Sequence, residues 1–229
     1  GGGFDGGAKF FLFGDKISGS LDYFETQQTN VRDSTVNSAH MVSWITAIWD
    51  AVDATQVPDT GWTDTKQSKT HGIEFQLVAN PTKNLRLLAN VSRDVNVLQA
   101  HGATTYAYLA ANIPTWLTHA STPVSSPDGA TVGALVAKLQ QEQSDQQQVV
   151  GIEQTRVFEW QANVVGRYQL DDVLPVKGFA AGAAFRWRNA PTIGFARTGT
   201  LLDPTRPFAG RAFTNLDAWV EYGRTFTVR

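Results

Sequence analysis

The stretch HGIEFQLVANPTKNLRLLANVS, residues 71–92, contains two runs in which apolar and polar side chains alternate. A period of two indicates β-strands, and the residues between the runs, Pro81 to Asn84, are typical of a tight turn. The pattern predicts an antiparallel hairpin whose apolar face would pack on a protein core in a soluble sandwich or contact lipid in an outer-membrane barrel. The apolar positions are Ile73, Phe75, Leu77, Ala79, Leu85, Leu87, Ala89 and Val91.

The same alternation recurs on both sides of this hairpin, so that about seven strands are predicted in all. In one of them Phe179, Phe185 and Trp187 share a face, and Arg186 and Arg188 lie on the opposite one. The glycine-rich start, GGGFDGG, is interpreted as a flexible loop. The further strands are predicted within residues 9–13, 17–28, 158–170, 179–188 and 215–222.

The lengths of the connections indicate whether the apolar face packs on a protein core or contacts lipid. Short ones, at residues 14–16, 80–84 and 171–176, alternate with long ones, at residues 31–68, 100–151 and 189–211. Soluble sandwiches usually have modest loops at both ends, whereas transmembrane barrels have short periplasmic turns and long extracellular loops. Mid-strand Glu, Arg, Gln and Asn are tolerated by a water-filled lumen but not by a dry core. We therefore predict an all-β fold, an antiparallel segment of a transmembrane β-barrel.

Composition excludes several other classes. The formal net charge of -2 and the lack of a basic run give no indication of nucleic-acid binding. The chain has no Cys, which excludes disulfides and thiolate metal sites, and no run approaches the ~18 apolar residues of a membrane helix. No Ser lies in a nucleophile elbow, and the His residues lack metal-ligand spacing, so no catalytic residue, metal or cofactor is predicted. The widely spaced histidines are His40, His71, His101 and His119.

The long loops contain apolar residues at helical spacing. Residues 41–52 predict an amphipathic helix, and residues 132–140 predict a second short one. We expect their apolar faces to fold each loop onto the rim of the barrel. The alternative is that loop aromatics bind a ligand from the outer side. The candidates for that role are Trp44, Trp49, Tyr106, Tyr108 and Trp116.

Four segments resemble the C-terminal barrel half of TonB-dependent outer-membrane receptors. They are KFFLFGDKISGSLDYFETQQTNV, GIEFQLVANPTKNLRLLANVS, LPVKGFAAGAAFRWRNAP and LDAWVEYGRTF. The resemblance implies a barrel of about 22 strands that is plugged by an N-terminal domain. It also implies location in the outer membrane of a Gram-negative bacterium, where such receptors take up scarce siderophores, cobalamin or glycans with energy delivered by TonB.

The chain departs from the complete pattern of that family. It has no plug and no TonB box, and it stops at Thr227-Val228-Arg229 without a terminal aromatic strand end. About seven strands with unpaired edges cannot close a barrel. Residues 1–229 are therefore expected to be a partial barrel, a fragment of a larger receptor that is not an enzyme. The partners implied are outer-membrane lipid, the receptor's own plug, TonB through the plug, and a small-molecule or oligosaccharide ligand.

Charged residues at alternate strand positions would line the lumen of such a barrel. They either hydrate a polar lumen or pair with the plug, and the sequence leaves both roles open. These residues are Glu159, Arg167, Arg186 and Arg188.

Two other functions remain open from the sequence. One is a passive, porin-like channel, against which the long loops and the family resemblance argue. The other is a soluble all-β ligand-binding module, such as a lectin, with Trp-lined loops. Cooperative folding without lipid or detergent would favour the soluble module. The sequence does not specify the ligand.

Overall fold

The structure, a computed structural model, describes residues 1–34, 40–59 and 61–223. Its main feature is a seven-stranded antiparallel sheet in the order β1-β2-β3-β4-β5-β6-β9. Strands β7 and β8 form a separate hairpin between β6 and β9. The strands are β1 (Gly2–Leu12), β2 (Ile17–Asp33), β3 (Asp64–Ala79), β4 (Leu85–His101), β5 (Trp160–Gln169), β6 (Phe179–Arg188), β7 (Thr192–Thr198), β8 (Leu201–Ala209) and β9 (Phe213–Tyr222).

The register of the sheet separates the side chains onto two faces. Phe75 lies opposite Leu21 on β2 and Val91 on β4, and directly opposed residues share a face. We call this side the apolar face and the other the polar face. Continued across the sheet, the apolar face includes Phe10, Leu12, Ile17, Leu21, Ile73, Phe75, Leu77, Leu87, Ala89, Val91, Val164, Phe185, Leu216 and Val220.

The predicted hairpin and its faces are confirmed. Residues Ile73 to Ala79 pair with Leu87 to Arg93, and the turn between the strands covers residues 80–84. Glu74, Gln76 and Asn90 lie on the polar face, where Gln76 is directly opposite Asn90. The periodicity of two therefore identified both strands and their two faces.

Close packing between strands explains two of the strand glycines. The Phe24 ring lies over Gly72, and a Cβ at Gly72 would come within 2.7 Å of that ring. The Trp219 ring lies over Gly182, where a Cβ would be 2.3 Å from it. A large ring beside a glycine on the neighbouring strand covers backbone that would otherwise be exposed to solvent.

The two ends of the sheet differ in size. At the short-turn end, the connections are residues 13–16, 80–84 and 170–178. At the long-loop end, the described residues form three α-helices: α1 (Met41–Val52), α2 (Ala103–Leu117) and α3 (Val132–Gln148). Among the described residues, no helix is both long and apolar enough to cross a membrane.

These helices pack on one another and form what we call the helical unit. Its buried side chains are the main hydrophobic cluster of the described chain, and none of these buried residues belongs to a strand of the sheet. The cluster consists of Met41, Val42, Ile45, Ile48, Trp49, Leu109, Trp116, Val132, Leu135, Val136 and Leu139. The helix predicted over residues 41–52 is confirmed, and its apolar stripe faces this cluster.

Several sequence-based predictions are corrected. Residues 1–7 were expected to be a loop, but β1 begins at Gly2 because its backbone pairs along β2 as far as Gln27. The second loop helix extends beyond residue 140 to Gln148. Helix α2 and the β7–β8 hairpin were not predicted at all. The prediction about residues 227–229 lies outside the described residues.

Candidate functional site

The helical unit contains all five aromatic residues that the sequence nominated as ligand contacts. Trp116 and Trp49 are 0% and 6% exposed, and their rings meet edge to face at 5.5 Å between centroids. The Trp49 Nε1–H donates to the Tyr108 hydroxyl at 2.6 Å. These three side chains therefore form part of the interior of the unit.

The remaining two aromatics lie nearer the surface of the unit. The half-buried Trp44 donates through Nε1 to Asp128 Oδ2 at 2.8 Å, and the Lys138 ammonium stands 5.7 Å from its ring. The Tyr106 hydroxyl donates to Gln146 Oε1 at 2.9 Å, and burial raises the pKa of this phenol. Of the five, Trp44 has the ring most suited to a further contact from outside.

A buried contact between His101 and Asp33 joins the outer ends of β4 and β2, and His101 also contacts the helical unit. His101, at the end of β4, places Nδ1 3.4 Å from Asp33 Oδ2, and both side chains are almost fully buried. On the other side of the ring, Nε2 lies 3.0 Å from the backbone carbonyl of Gln146, in the last turn of α3. The His101 ring therefore connects the end of β2 with the last turn of α3.

Asp64 makes a second junction between sheet and helices. Helix α2 begins after Gly102, which has no side chain to cap the helix. Asp64, at the start of β3, takes that role: its Oδ2 accepts from the Thr105 backbone N–H at 2.7 Å and the Thr105 hydroxyl at 2.8 Å. Burial favours the neutral carboxyl, but the N–H donors of Thr105 and Thr65 outweigh it and lower the pKa of Asp64.

Replacing Asp64 by Asn is expected to destabilise the helical unit by about 1–2 kcal/mol, because the charged acceptor at the helix start is lost. The pKa of Asp64 is lower in the folded protein than in the unfolded chain. Asp64 therefore contributes its full stabilisation above the ordinary carboxyl pKa of about 3.9, and this stabilisation is lost as the pH falls through the lower pKa of the folded state. Hydrogen exchange of α2 amides measures both effects. The exposed Asp53→Asn variant is the control and should leave α2 unchanged. Equal protection in wild type and Asp64→Asn would contradict this role.

A cavity of about 480 Å³ adjoins the His101–Asp33 pair at the long-loop end. It is lined in part by Lys66, Glu153, Arg156 and Phe195. Lys66 lies opposite His101 on the polar-face side of the sheet. Arg156 has a φ of 66°, a conformation that non-glycine residues adopt rarely. Lys66, Glu153 and Arg156 have no ion pair within the described chain.

The charged residues that the sequence predicted to line the lumen lie outside this cavity, on the sheet or next to it. On the polar face, Arg167 pairs with Glu221 at 2.9 Å, and Arg186 stands 3.9 Å from Asp217. The Arg188 guanidinium lies 5.5 Å from the centre of the Phe158 ring.

Glu159 differs from the other three residues of that set. It precedes β5 and pairs at 2.5 Å with Arg93, which shares a face with Ile73 on the apolar side. The structure therefore brings the aromatic set together in one unit, but it distributes the charged set over separate positions.

The junction residues Asp33, Asp64 and His101 were not found from the sequence. Each has its partner on a different element, and no local spacing connects the members of a pair. The only indication in the sequence was the position of Asp33 and Asp64 at the outer ends of alternating strands, where the apolar pattern does not explain an aspartate.

No protein-family model and no curated protein sequence matches this chain. Several solved structures match it in fold. The ferripyoverdine receptor of the outer membrane of Pseudomonas aeruginosa, bound to ferripyoverdine, matches with a TM-score of 0.49 and 12% identity over 97% of this chain and 21% of that one. The P. aeruginosa FpvA bound to heterologous pyoverdines matches with a TM-score of 0.50 and 14% identity, over the same shares. The complex of FpvAI with pyocin S2 gives 0.49 and 12%.

The match extends along nearly all of this chain but only part of the receptor. The chain spans about a fifth of the receptor's length. At 14% identity the likeness concerns the fold alone. Within that limit it confirms the resemblance that the strand segments suggested: the chain is similar in fold to part of a TonB-dependent outer-membrane receptor.

Proposed function

We propose that residues 1–229 are barrel wall and outer loops of a TonB-dependent outer-membrane receptor that takes up a scarce ligand. In this arrangement the apolar face contacts lipid, and the polar face contacts the lumen. The short-turn end faces the periplasm, and the helical unit stands on the extracellular side. The plug and, through it, TonB are the protein partners.

The observation that carries this proposal is the division of the sheet into two faces. Leu216 and Val220 on the apolar face are 73% and 72% exposed. Strands β5, β6 and β9 are each 10 residues long, which suits the 9–11 residues of a tilted transmembrane strand. The longer β2, β3 and β4 would extend beyond the membrane to carry the helical unit.

Aromatic residues at both ends of the apolar face support the same placement. Trp160 and Trp187 lie toward the long-loop end of that face, and Tyr168 and Tyr222 lie toward the short-turn end. The rows between them are mainly aliphatic and include Phe10 and Phe185. Two aromatic girdles around an aliphatic band are typical of outer-membrane barrels, because amphipathic rings favour the headgroup level.

The cavity beside His101 is the proposed ligand-contact region, together with the outward surface of Trp44. It combines charged, amide and aromatic groups, as small-molecule sites do. On the polar face, Arg167, Arg186 and Arg188 would contact the lumen and its plug, while Glu159 would stabilise the outer end of the wall through Arg93. The ligand is proposed as a small molecule or an oligosaccharide.

Quenching by lipid tests the membrane placement. In vesicles with brominated acyl chains, we expect strong quenching of Trp187, on the apolar face, and little quenching of Trp219, on the polar face. Replacing Trp187 by Phe should therefore remove much of the quenched emission, and replacing Trp219 by Phe should leave it nearly unchanged. Equal effects of the two substitutions, or cooperative folding in water alone, would favour the soluble module instead.

A further inference from the structure

The short-turn end of the polar face contains a basic recess of about 640 Å³. Four cationic side chains line it, and none of its described lining residues is acidic. The remaining lining residues are mostly amides and a hydroxyl. The four cations are Lys16, Lys83, Arg86 and Arg167.

Neighbouring carboxylates neutralise only part of this charge. Lys83 pairs with Asp172 at 3.0 Å, and Arg167 pairs with Glu221 at 2.9 Å. Lys16 and Arg86 have no ion pair with any residue that the structure describes. Arg86 also lies directly opposite Arg167, and like charges in that position repel. A bound anion would relieve the repulsion and neutralise the excess charge.

The recess also offers a hydrogen-bond donor between the charges. Thr82 Oγ1 accepts from the backbone N–H groups of Asn84 and Leu85 at 3.3 and 3.1 Å. With its lone pairs engaged, the Thr82 hydroxyl has its proton to donate. A hydroxyl donor beside cationic side chains is an arrangement that suits a carboxylate.

An apolar stripe borders the recess on the same, otherwise polar face. Phe11, Val78, Leu88 and Val165 lie in one row that crosses five strands, with Ser18 of β2 between Phe11 and Val78. Phe11 is 65% exposed, so the stripe has little cover within the described chain. Along β4 and β5 the row lies two positions from Arg86 and Arg167, roughly 7 Å away. Water is a poor partner for such a surface, and burial of it would be favourable.

We propose that the basic recess and the apolar stripe together bind an acidic polypeptide segment. Its carboxylates would face Arg86 and Lys16, and its adjacent apolar side chains would cover Leu88, Val78 and Phe11. A small anion would satisfy the recess but leave the stripe exposed. Lipid belongs to the opposite face. The inference rests on the proposed assignment of the polar face to the lumen, and it states what chemistry the occupant of that lumen carries.

Binding of short peptides to the purified chain in detergent tests this inference. The probe is acetyl-Leu-Glu-Leu-Glu-amide, and its matched control is the same peptide with Gln in place of Glu. We expect the acidic peptide to bind at least about tenfold more tightly, because charge-assisted hydrogen bonds are the stronger ones. Inorganic phosphate should bind more weakly than the acidic peptide, because it cannot cover the stripe.

Substitutions separate the recess from general charge effects. Arg86→Gln should weaken the acidic peptide about tenfold and leave the Gln peptide unchanged. Leu88→Ser should weaken both peptides. Arg206→Gln is the matched control, since Arg206 is an exposed arginine of β8 far from the recess. Equal binding of the two peptides, no binding of either, or phosphate that binds as tightly as the acidic peptide would overturn the inference.

The readout is independent of the membrane proposal. Peptide binding is measured in detergent, whereas the placement of the faces is measured by quenching in lipid. Binding that depends on Arg86, together with equal quenching of Trp187 and Trp219, would retain the peptide site and reject the membrane wall. The reverse result would retain the wall and reject the site.

Discussion

Under the proposed membrane placement, replacing Ala89 by Arg is expected to lower the free energy of unfolding in lipid by about 2–4 kcal/mol, the cost of a cation at the lipid-facing midplane of a barrel. Ala89 lies on the apolar face between Leu77 and Val164, in the middle of the aliphatic band. An arginine there would have no water and no counter-ion within reach. Its long side chain could recover part of the cost only by extending toward a headgroup.

The adjacent residue provides a matched control for this prediction. Asn90 lies on the polar face between Gln76 and Asn163, and Asn90→Arg should cost at most about 1 kcal/mol, near that of losing its hydrogen bond with Asn163. Denaturant unfolding of both variants in lipid vesicles measures the difference. Equal costs for the two substitutions would contradict the assignment of the faces, whatever their absolute values.

The faces of the sheet could be predicted from the sequence because a strand determines them locally. Alternation in residues 73–79 and 85–91 requires one apolar side, and a short turn between the runs sets the register. Unequal connections then indicated which ends lie together. None of these steps requires knowledge of a residue distant in the chain.

The helical unit was only partly predictable, for a physical reason that its three helices illustrate. Helix α1 has an apolar stripe at regular spacing, and it was predicted with its observed bounds. Helix α2 begins with Ala, Thr and Tyr residues and contains Pro114, a residue unfavourable inside helices, so its helical pattern is weak. It is stabilised by Asp64 of β3 and by packing on α3, which are contacts that only the folded chain provides.

The hairpin of β7 and β8 was hidden by its prolines. Pro204 and Pro207 lie within β8, and proline is tolerated only in strands without neighbours on both sides. A two-stranded hairpin is marginal by itself, and here Arg197 of β7 forms an ion pair with Asp145 of α3. The hairpin is therefore stabilised by contact with the helical unit. No pattern within residues 189–211 could have indicated that contact.

Replacing Trp116 by Ala is expected to destabilise the helical unit by about 3–5 kcal/mol, the usual cost of removing a buried indole. Trp116 is fully buried in the cluster, where it contacts the rings of Trp49 and Tyr108. Its Nε1–H has no hydrogen-bond partner among the described residues, so its contribution is one of packing. Hydrogen exchange of amides in α1, α2 and α3, compared with those in β5 and β6, would locate the loss.

Trp116→Phe is the control that separates packing from ligand contact. Phenylalanine keeps much of the apolar volume and removes a buried N–H that lacks a partner, so we expect a loss of only about 1–2 kcal/mol. A destabilised α1–α3 in the Ala variant with near-normal protection in the Phe variant would identify Trp116 as a core residue. Full protection in both variants, with altered ligand binding, would instead assign Trp116 to the ligand. The same comparison at Trp44, whose indole donates to Asp128 near the surface, should give the smaller stability change, because less of that ring is buried.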